Sequence, residues 1–575
     1  MRSFYGVAKV CLVDGTVVEP PLDGMTIFTG PNNSGKSMLL RELVTALYTH
    51  PNLSEPIRWI TGVEVHRGGS GEELISWLAE RGVHTRFSPT SGRHFLPGRM
   101  MVEENGPSVD QAIPLWDRGE YGNLGHLLVN DQWTDGRLGD QTASQQWDWT
   151  FPAKHPTQVL WESPEALEQF SSLFMQAFGK KVAINRYLHN IRLQIGEVGM
   201  PDTPPPPPQE LRDAYASLPY LSEQGDGMRA FANLILHTLV RPAPVIVIDE
   251  PEAFLHPPQV RLLARYLTQY VPSPCQVFVA THSSDFLSGA LEGNSVSTSG
   301  SRSLALARIS RNTGSPVART LSPSAVREIL DTPLLRYSNI ISGVFHDGVI
   351  LCEAEGDCQF YAATIDALNG TAPNANLTYL HVNGKARLSD STQKLRACGI
   401  PTAAIADIDF LNNSKMTEKA VADIGGNWGT IKDDVRLIQE YASSDVITKT
   451  AAKIRQEISQ IIGSPRAQEI LPQDKVDKIA ETLKKANGWK MIKKSGVDAL
   501  DGDPYIAAQR VMKYLAGLGF FLVPVGELER WVRTISASNK SVWLARVFDE
   551  GHYKNPSNGL AEFVTSVRQF LENQA

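Results

Sequence analysis

Short unbroken apolar runs alternate along this chain with stretches in which apolar residues recur every three or four positions, a pattern that predicts strands feeding helices. Phe4 to Leu12 and Met25 to Thr29 read as strands, parted by a turn at Asp14-Gly15 and a break at Pro20-Pro21. Ser37 to Tyr48 reads as a helix with Leu39, Leu40, Leu43 and Leu47 on one stripe. Helices are also expected over Glu72 to Arg81 and Pro164 to Gly179. Strands are expected over Pro244 to Glu250, Val277 to His282 and Leu304 to Ile309. In the second half Gly348 to Cys352 is a strand followed by a helix through Ala367, and Leu377 to Val382, Thr402 to Asp409 and Phe520 to Val525 are further strands. Strands alternating with helices imply an α/β fold with a parallel sheet, whose ligands lie outside the carboxyl ends of the strands.

Between Pro51 and Met200 this pattern dissolves. Seven tryptophans (Trp59, Trp77, Trp116, Trp133, Trp147, Trp149, Trp161) stand there among many Gly, Asp and Pro. They read as the core of an irregular subdomain, with a dimer surface or a nucleobase platform as alternatives. Pro204 to Pro208 is a stiff exposed spacer, or else a ligand for a proline-reading partner. Ala290 to Arg319 is rich in Ser and Gly, and a boundary falls near Ile341.

A chain of 575 residues exceeds what one hydrophobic core serves, so about three or four domains are expected. The net charge of -7 supplies no global basic field, so binding to a polyanion would need local patches or metal ions. The five cysteines (Cys11, Cys275, Cys352, Cys358, Cys398) include no C-x-x-C pair and no His partners at zinc spacing, which fits core residues in a reducing cytoplasm. No stretch reaches the length of a membrane span, and the start MRSFYGVAKV lacks a long apolar core, so a soluble cytoplasmic protein is expected.

Four short segments carry phosphate chemistry. In TGPNNSGKS, Gly30 and Gly35 permit a tight turn, Lys36 reaches phosphate oxygens and the Ser37 hydroxyl can hold magnesium; Asn32, Asn33 and Ser34 belong to the same cradle. In LSEQGDG, Ser222, Gly225 and Gly227 offer a hydroxyl and bare amides at a helix N-terminus, a second anion site that need not serve the same chain's nucleotide. The apolar run PVIVIDE delivers two carboxylates, Asp249 to tie down the metal and Glu250 to polarise a water. FVATH ends in His282, placed to sense a terminal phosphate. In the second half the strand ends carry Glu353, Asp357, Asp407, Asp409 and Glu527, and gathering such anions calls for a divalent cation, magnesium or manganese by the hardness of the donors. Two metals so held can activate water and stabilise the leaving oxygen of a phosphodiester.

In this order the four segments resemble the Walker A, signature, Walker B with D-loop, and H-loop of an ABC-type ATPase head. The resemblance implies ATP as ligand and a head-to-tail homodimer in which one subunit's signature closes on nucleotide held by the other. The signature reads Ser222-Glu223-Gln224-Gly225 in place of the usual LSGGQ, and the Q-loop is not placed. The second half resembles a Toprim domain, with Glu353, Asp357, Asp407 and Asp409 on the E-G-x-x-D and D-x-D acids; Ala354 stands where that family has glycine, and Gly356 restores one. Together with the helical insertion from Lys415 to Lys494 and the GELE segment, the combination resembles the OLD (overcoming lysogenisation defect) nucleases, close in plan to the nuclease subunit of the Gabija anti-phage system.

What that resemblance implies is an ABC-type ATPase over 1–340, with 51–200 as an inserted dimerisation region, and a Toprim nuclease over 341–575 with a helical insertion at 412–500. The expected activity is nucleotide-gated, metal-dependent cutting or nicking of double-stranded DNA in anti-phage defence, with a second defence-system subunit as a further partner. A late lysine stabilising the scissile phosphate is expected at Lys554, or at Lys540. The rival readings are an ATP-driven DNA clamp or sensor with an inactive Toprim site, a transporter ATPase subunit, and a topoisomerase or primase. Lys484, Lys485, Lys490, Lys493 and Lys494 read as a solvated helix face, or as a grip on a nucleic-acid backbone.

Overall fold

The computed structural model describes residues 3–49, 58–88, 91–96, 106–139, 142–147, 153, 155–239, 243–271, 274–296, 303–312, 315–321, 324, 326–327, 340–370, 376–444, 451–463, 470–484, 488–536 and 539–574. The chain divides into two compact units, Met1–Arg327 and Glu328–Ala575.

The first unit is built on a six-stranded sheet. In chain order its strands are β1 (Gly24–Thr29), β2 (Val129–Gln132), β3 (Val245–Asp249), β4 (Gln276–Ala280), β5 (Ser303–Asn312) and β6 (Ser315–Leu321), and across the sheet they run β6-β5-β1-β4-β3-β2. All neighbours are parallel except the β5–β6 hairpin. Every residue of β1, β3 and β4 is buried, as expected of parallel strands covered on both faces. The expected strands and helices of this half recur, with helix α1 over Lys36–Thr49.

The Pro51 to Met200 region contributes more to the sheets than its composition announces. Within it, β2 pairs with β3 of this sheet, and Ile60–Gly68 pairs antiparallel with Phe4–Leu12 in a separate three-stranded sheet. Trp59, Trp77 and Trp116 are buried in the same core as Leu39, Leu43 and Phe28, so there the tryptophans fill core. Trp147 and Trp161 meet edge to face at 5.5 Å, and Trp149 lies outside the described residues. The Pro204 to Pro208 run is largely exposed.

The second unit holds four parallel strands, β7 (Gly348–Cys352), β8 (Leu377–His381), β9 (Thr402–Asp407) and β10 (Phe520–Val523), in the order β8-β7-β9-β10. Because all four run the same way, all four carboxyl ends share one edge. Strands β9 and β10 pair directly, although among the described residues six α-helices lie between them in sequence: Ser414–Asp423, Lys432–Ser443, Ala451–Ile462, Gln473–Lys484, Gly488–Ser495 and Gly502–Gly517. Tyr361, Trp543, Val564 and Leu571, from three helices, pack with the sheet residues Ile350, Ile405 and Phe521. Trp543 is fully buried, so Trp543→Ala should cost about 3–5 kcal/mol by losing transfer free energy and leaving a cavity, read as a lower denaturation midpoint. Among the described residues no helix is long and apolar enough to cross a membrane.

Candidate functional site

The phosphate loop leaves β1 and enters α1 as the sequence requires. Gly35 has φ +103, and a Cβ there would stand 2.5 Å from the indole nitrogen of buried Trp59, so only glycine fits the turn. Asn33 is also left-handed, φ 62. The Lys36 ammonium donates to the carbonyls of Gly30 (2.9 Å) and Pro31 (2.7 Å), and burial pulls its pKa down to about 8 against the opposing charges of Glu250, Glu252 and Asp249. Ser37 Oγ donates to Asp249 Oδ1 at 2.8 Å, joining the α1 N-terminus to the end of β3. Burial raises the Asp249 carboxyl above its ordinary range.

Glu250 follows with φ 48, a left-handed conformation that costs a non-glycine residue roughly 1–2 kcal/mol. Its amide donates to Ala280 O at 2.8 Å. His282 Nδ1 lies 3.6 Å from Glu250 Oε1 and 3.1 Å from Glu252 Oε1. Glu252 also accepts from Thr281 Oγ1 at 2.8 Å and from the His282 amide at 2.9 Å, which fixes the histidine's backbone and ring beside Glu250. Ser222 and Gly225 stand at the turn that opens the helix Asp226–Leu239.

The sequence left two participants unplaced. Gln132 ends β2 opposite Ile248 of β3, one residue before the acidic pair. Arg137, nearly fully buried, donates to the backbone carbonyls of Asp249, Glu250 and, at 3.2 Å, Gln132. The strand before it reads VNDQ, too polar and too short to stand out, and no local motif marks the arginine.

At the carboxyl edge of the second sheet, Glu353 follows β7, and its Oε1 accepts the amide of Asp407 at the end of β9 (3.2 Å). Asp357 turns back to accept the Ala354 amide at 3.0 Å, so the helix Glu355–Asn369 starts correctly although alanine replaces glycine. Burial, then the neighbouring charge of Glu353, push the Asp407 carboxyl up to about 7. Glu353 is raised as well, by burial and by Asp409 and Asp357. Glu527, beyond β10, is raised by burial and by Glu529 and bonds Arg530 at 3.1 Å.

Lysines from three separate segments stand against these acids. Lys493 Nζ lies 3.2 Å from Asp407 Oδ2 and 3.6 Å from Asp409 Oδ2. Lys385 lies 3.2 Å from Asp409 Oδ1, reached through the left-handed turn at Asn383 and Gly384. Lys540 lies 2.7 Å from Asp357 Oδ1. Lys493 therefore faces the acids rather than a solvated helix surface. Burial opposes its charge, but Asp407 and Asp409 outweigh that and raise its pKa. Gly526 makes the approach possible: its φ is +106, and a Cβ there would collide with the Lys493 carbonyl. Lys540, the second choice among the late lysines, is the one at an acid, while Lys554 Nζ stands 5.8 Å over the ring of Tyr553. Lys485 lies outside the described residues.

Among the described residues no three His, Cys, Asp or Glu groups are arranged as a metal shell, and Asp357, Asp407 and Asp409 each have a lysine beside them. The donor set still fits a hard divalent cation. It is all oxygen, and burial, with the repulsion of Glu353 added to it, makes Asp407 reluctant to ionise.

Residues 188–288 match the family described as “AAA domain, putative AbiEii toxin, Type IV TA system”. Residues 344–409 match “Overcoming lysogenization defect protein-like, TOPRIM domain”. These two stretches are therefore similar to an AAA ATPase domain and to an OLD-like Toprim domain. The Old nuclease of Escherichia phage P2 is 30% identical over 181 residues, covering 30% of this chain and 29% of that protein. This chain thus aligns with less than a third of the curated relative's length. Solved structures of SMC heads are also similar. One bound to the C-winged helix domain of ScpA has 14% identity and a TM-score of 0.33, covering 56% of this chain and 99% of that one. The SMC head domain from Thermotoga maritima has 12% identity and a TM-score of 0.28, covering 56% of this chain and 100% of that one. The OLD-like Toprim match ends at Asp409, so it contains Glu353, Asp357, Asp407 and Asp409 and none of Lys493, Glu527 or Lys540.

Proposed function

We propose that this protein is an ATP-binding, divalent-metal-dependent DNA endonuclease whose nucleotide state governs access to the Toprim acids. The observation that carries the reading is the Glu353 carboxylate on the Asp407 amide at adjacent strand ends, with Asp409 and Asp357 close enough to perturb both carboxyls. Glu353, Asp357, Asp407 and Asp409 would hold magnesium or manganese, with Glu527 beside them. When bound, such ions supply a water nucleophile at neutral pH and neutralise the leaving oxygen of a phosphodiester. Lys540 would stabilise charge on the scissile phosphate, and Lys385 and Lys493, released from the acids, would face the DNA backbone.

In the ATPase half, Lys36 would bind the terminal phosphates, Ser37 and Asp249 would hold magnesium, and Glu250 would orient the attacking water with His282 at the terminal phosphate. Ser222 and Gly225 of a second copy would complete the site, making the working form a homodimer. A role in phage defence, with a second subunit, follows from the OLD resemblance.

Plasmid incubated with magnesium or manganese should be nicked or linearised. EDTA should stop the reaction and added metal should restore it. Cleavage that persists in EDTA would overturn the proposal. The lysines at Asp357, Asp407 and Asp409 favour a second reading, a DNA clamp whose Toprim site is neutralised rather than catalytic. It would bind DNA in response to ATP with no cleavage in any metal.

A further inference from the structure

We infer that Arg137 is a positioning residue that ties the signature helix to the water-activating Glu250 of the same chain. The inference rests on the proposed ATPase reading and concerns a residue that lies in none of the four phosphate-binding segments.

Glu250 is held in a conformation that its own backbone disfavours, φ 48, so something around it must over-determine that geometry. Three groups do so. The Ala280 carbonyl takes its amide proton. The Arg137 guanidinium spans the Asp249 and Glu250 carbonyls, one on each side of the Glu250 Cα, and Thr134 Oγ1 adds a bond to Asp249 O at 3.1 Å. A planar, forked donor can hold two adjacent carbonyls at once, which a lysine cannot. The direction in which the Glu250 side chain leaves β3 is therefore set by Arg137. The same guanidinium donates to Gln132 O, so the end of β2 shares the fixture.

Arg137 is in turn held from the other side. Asn233 Nδ2 donates to the carbonyls of Arg137 and, at 2.9 Å, Gly139, and Arg229 donates to the carbonyl of Leu138. Both belong to the helix Asp226–Leu239, which begins directly after the Ser222–Gly225 turn. Arg229 is anchored at the start of that helix by Asp226, 3.3 Å away. A shift of the helix when its turn engages an anion would pass through these three carbonyls to Arg137, and from Arg137 to Glu250. Ligand at the signature is thereby coupled to water activation at the same chain's own phosphate loop. The coupling needs no contact between the two anion sites.

The test measures steady-state ATP hydrolysis and fluorescent-nucleotide binding for the full chain and for Arg137→Met, Arg137→Lys, Asn233→Ala and the Arg137→Met/Asn233→Ala double variant, with Glu250→Gln as reference. Arg137→Met should lower kcat by about 10- to 100-fold with nucleotide affinity and KM unchanged, because only the aim of the glutamate is lost. Arg137→Lys should recover part of that loss. Asn233→Ala should lower kcat less, and the double variant should be no slower than Arg137→Met alone, since Asn233 acts through the arginine. Hydrolysis by Arg137→Met at the wild-type rate, or additive losses in the double variant, would overturn the inference. If burial makes Arg137→Met fail to fold, Asn233→Ala decides, and a wild-type kcat there overturns it. A Glu250→Gln variant that still hydrolyses ATP normally would instead sink the underlying ATPase reading.

Discussion

Asp407→Asn should lower metal-dependent DNA cleavage by at least about 100-fold while making the metal-free protein more stable at neutral pH. Asparagine keeps the shape of the side chain and one acceptor oxygen but loses the charge that a cation would bind. The stability gain follows from the raised pKa. The folded protein holds a proton on Asp407 up to about pH 7, whereas an unstructured chain releases it near 3.8. Below about pH 4 both states are protonated and the carboxyl costs nothing. As pH rises from there to about 7, the unfolded state ionises first and folding becomes progressively less favourable. The full penalty is in place above pH 7. Removing the charge relieves that penalty but takes the partner from Lys493, so a net gain on the order of 2 kcal/mol is expected at pH 8. Thermal melts of both proteins in EDTA at pH 8 and pH 4.5 should show a gap that closes on acidification. Equal cleavage by variant and wild type, or a gap independent of pH, would contradict the placement of Asp407 in the acid cluster.

Glu250→Gln should reduce ATP turnover by about 100- to 10,000-fold with ATP affinity preserved, the range for losing a positioned general base. Glutamine has the same shape, so the left-handed backbone at φ 48 and the Arg137 contacts remain. Lys36 and Ser37, which contact phosphate and metal in the proposed site, are untouched. Phosphate release should collapse while fluorescent-nucleotide titrations superimpose on wild type. A parallel loss of binding would mean that Glu250 acts on the nucleotide itself and not on water.

Residues whose placement is set by a few neighbours in sequence were readable from sequence. The Gly30–Ser37 turn needs its glycines, lysine and serine in one short run between a strand and a helix, and the acidic pair at Asp249-Glu250 ends an apolar strand. Glu353 and Asp407 were readable for the same reason, each closing an unbroken apolar stretch. What escaped were groups whose importance comes from distant packing. Lys493 looks like one more base in WKMIKKS until Gly526, from another segment, lets its backbone close on the sheet edge. Arg137 lies in a turn-rich stretch, and its partners are carbonyls, which leave no mark on a side-chain pattern. Choosing between Lys540 and Lys554 likewise required knowing which helix end meets Asp357, information that no spacing carries.

The long excursion between β9 and β10 departs from and returns to strands that touch each other directly. Its outer helices can thus change length or be exchanged wholesale without altering strand register, much as a graft leaves the rootstock intact. Among the described residues, its start at Asp409 and its helix Gly488–Ser495, where Lys493 meets Asp407 and Asp409, are the parts joined to the acid cluster. Variation in the helices between these two points would accordingly leave the acids as they are.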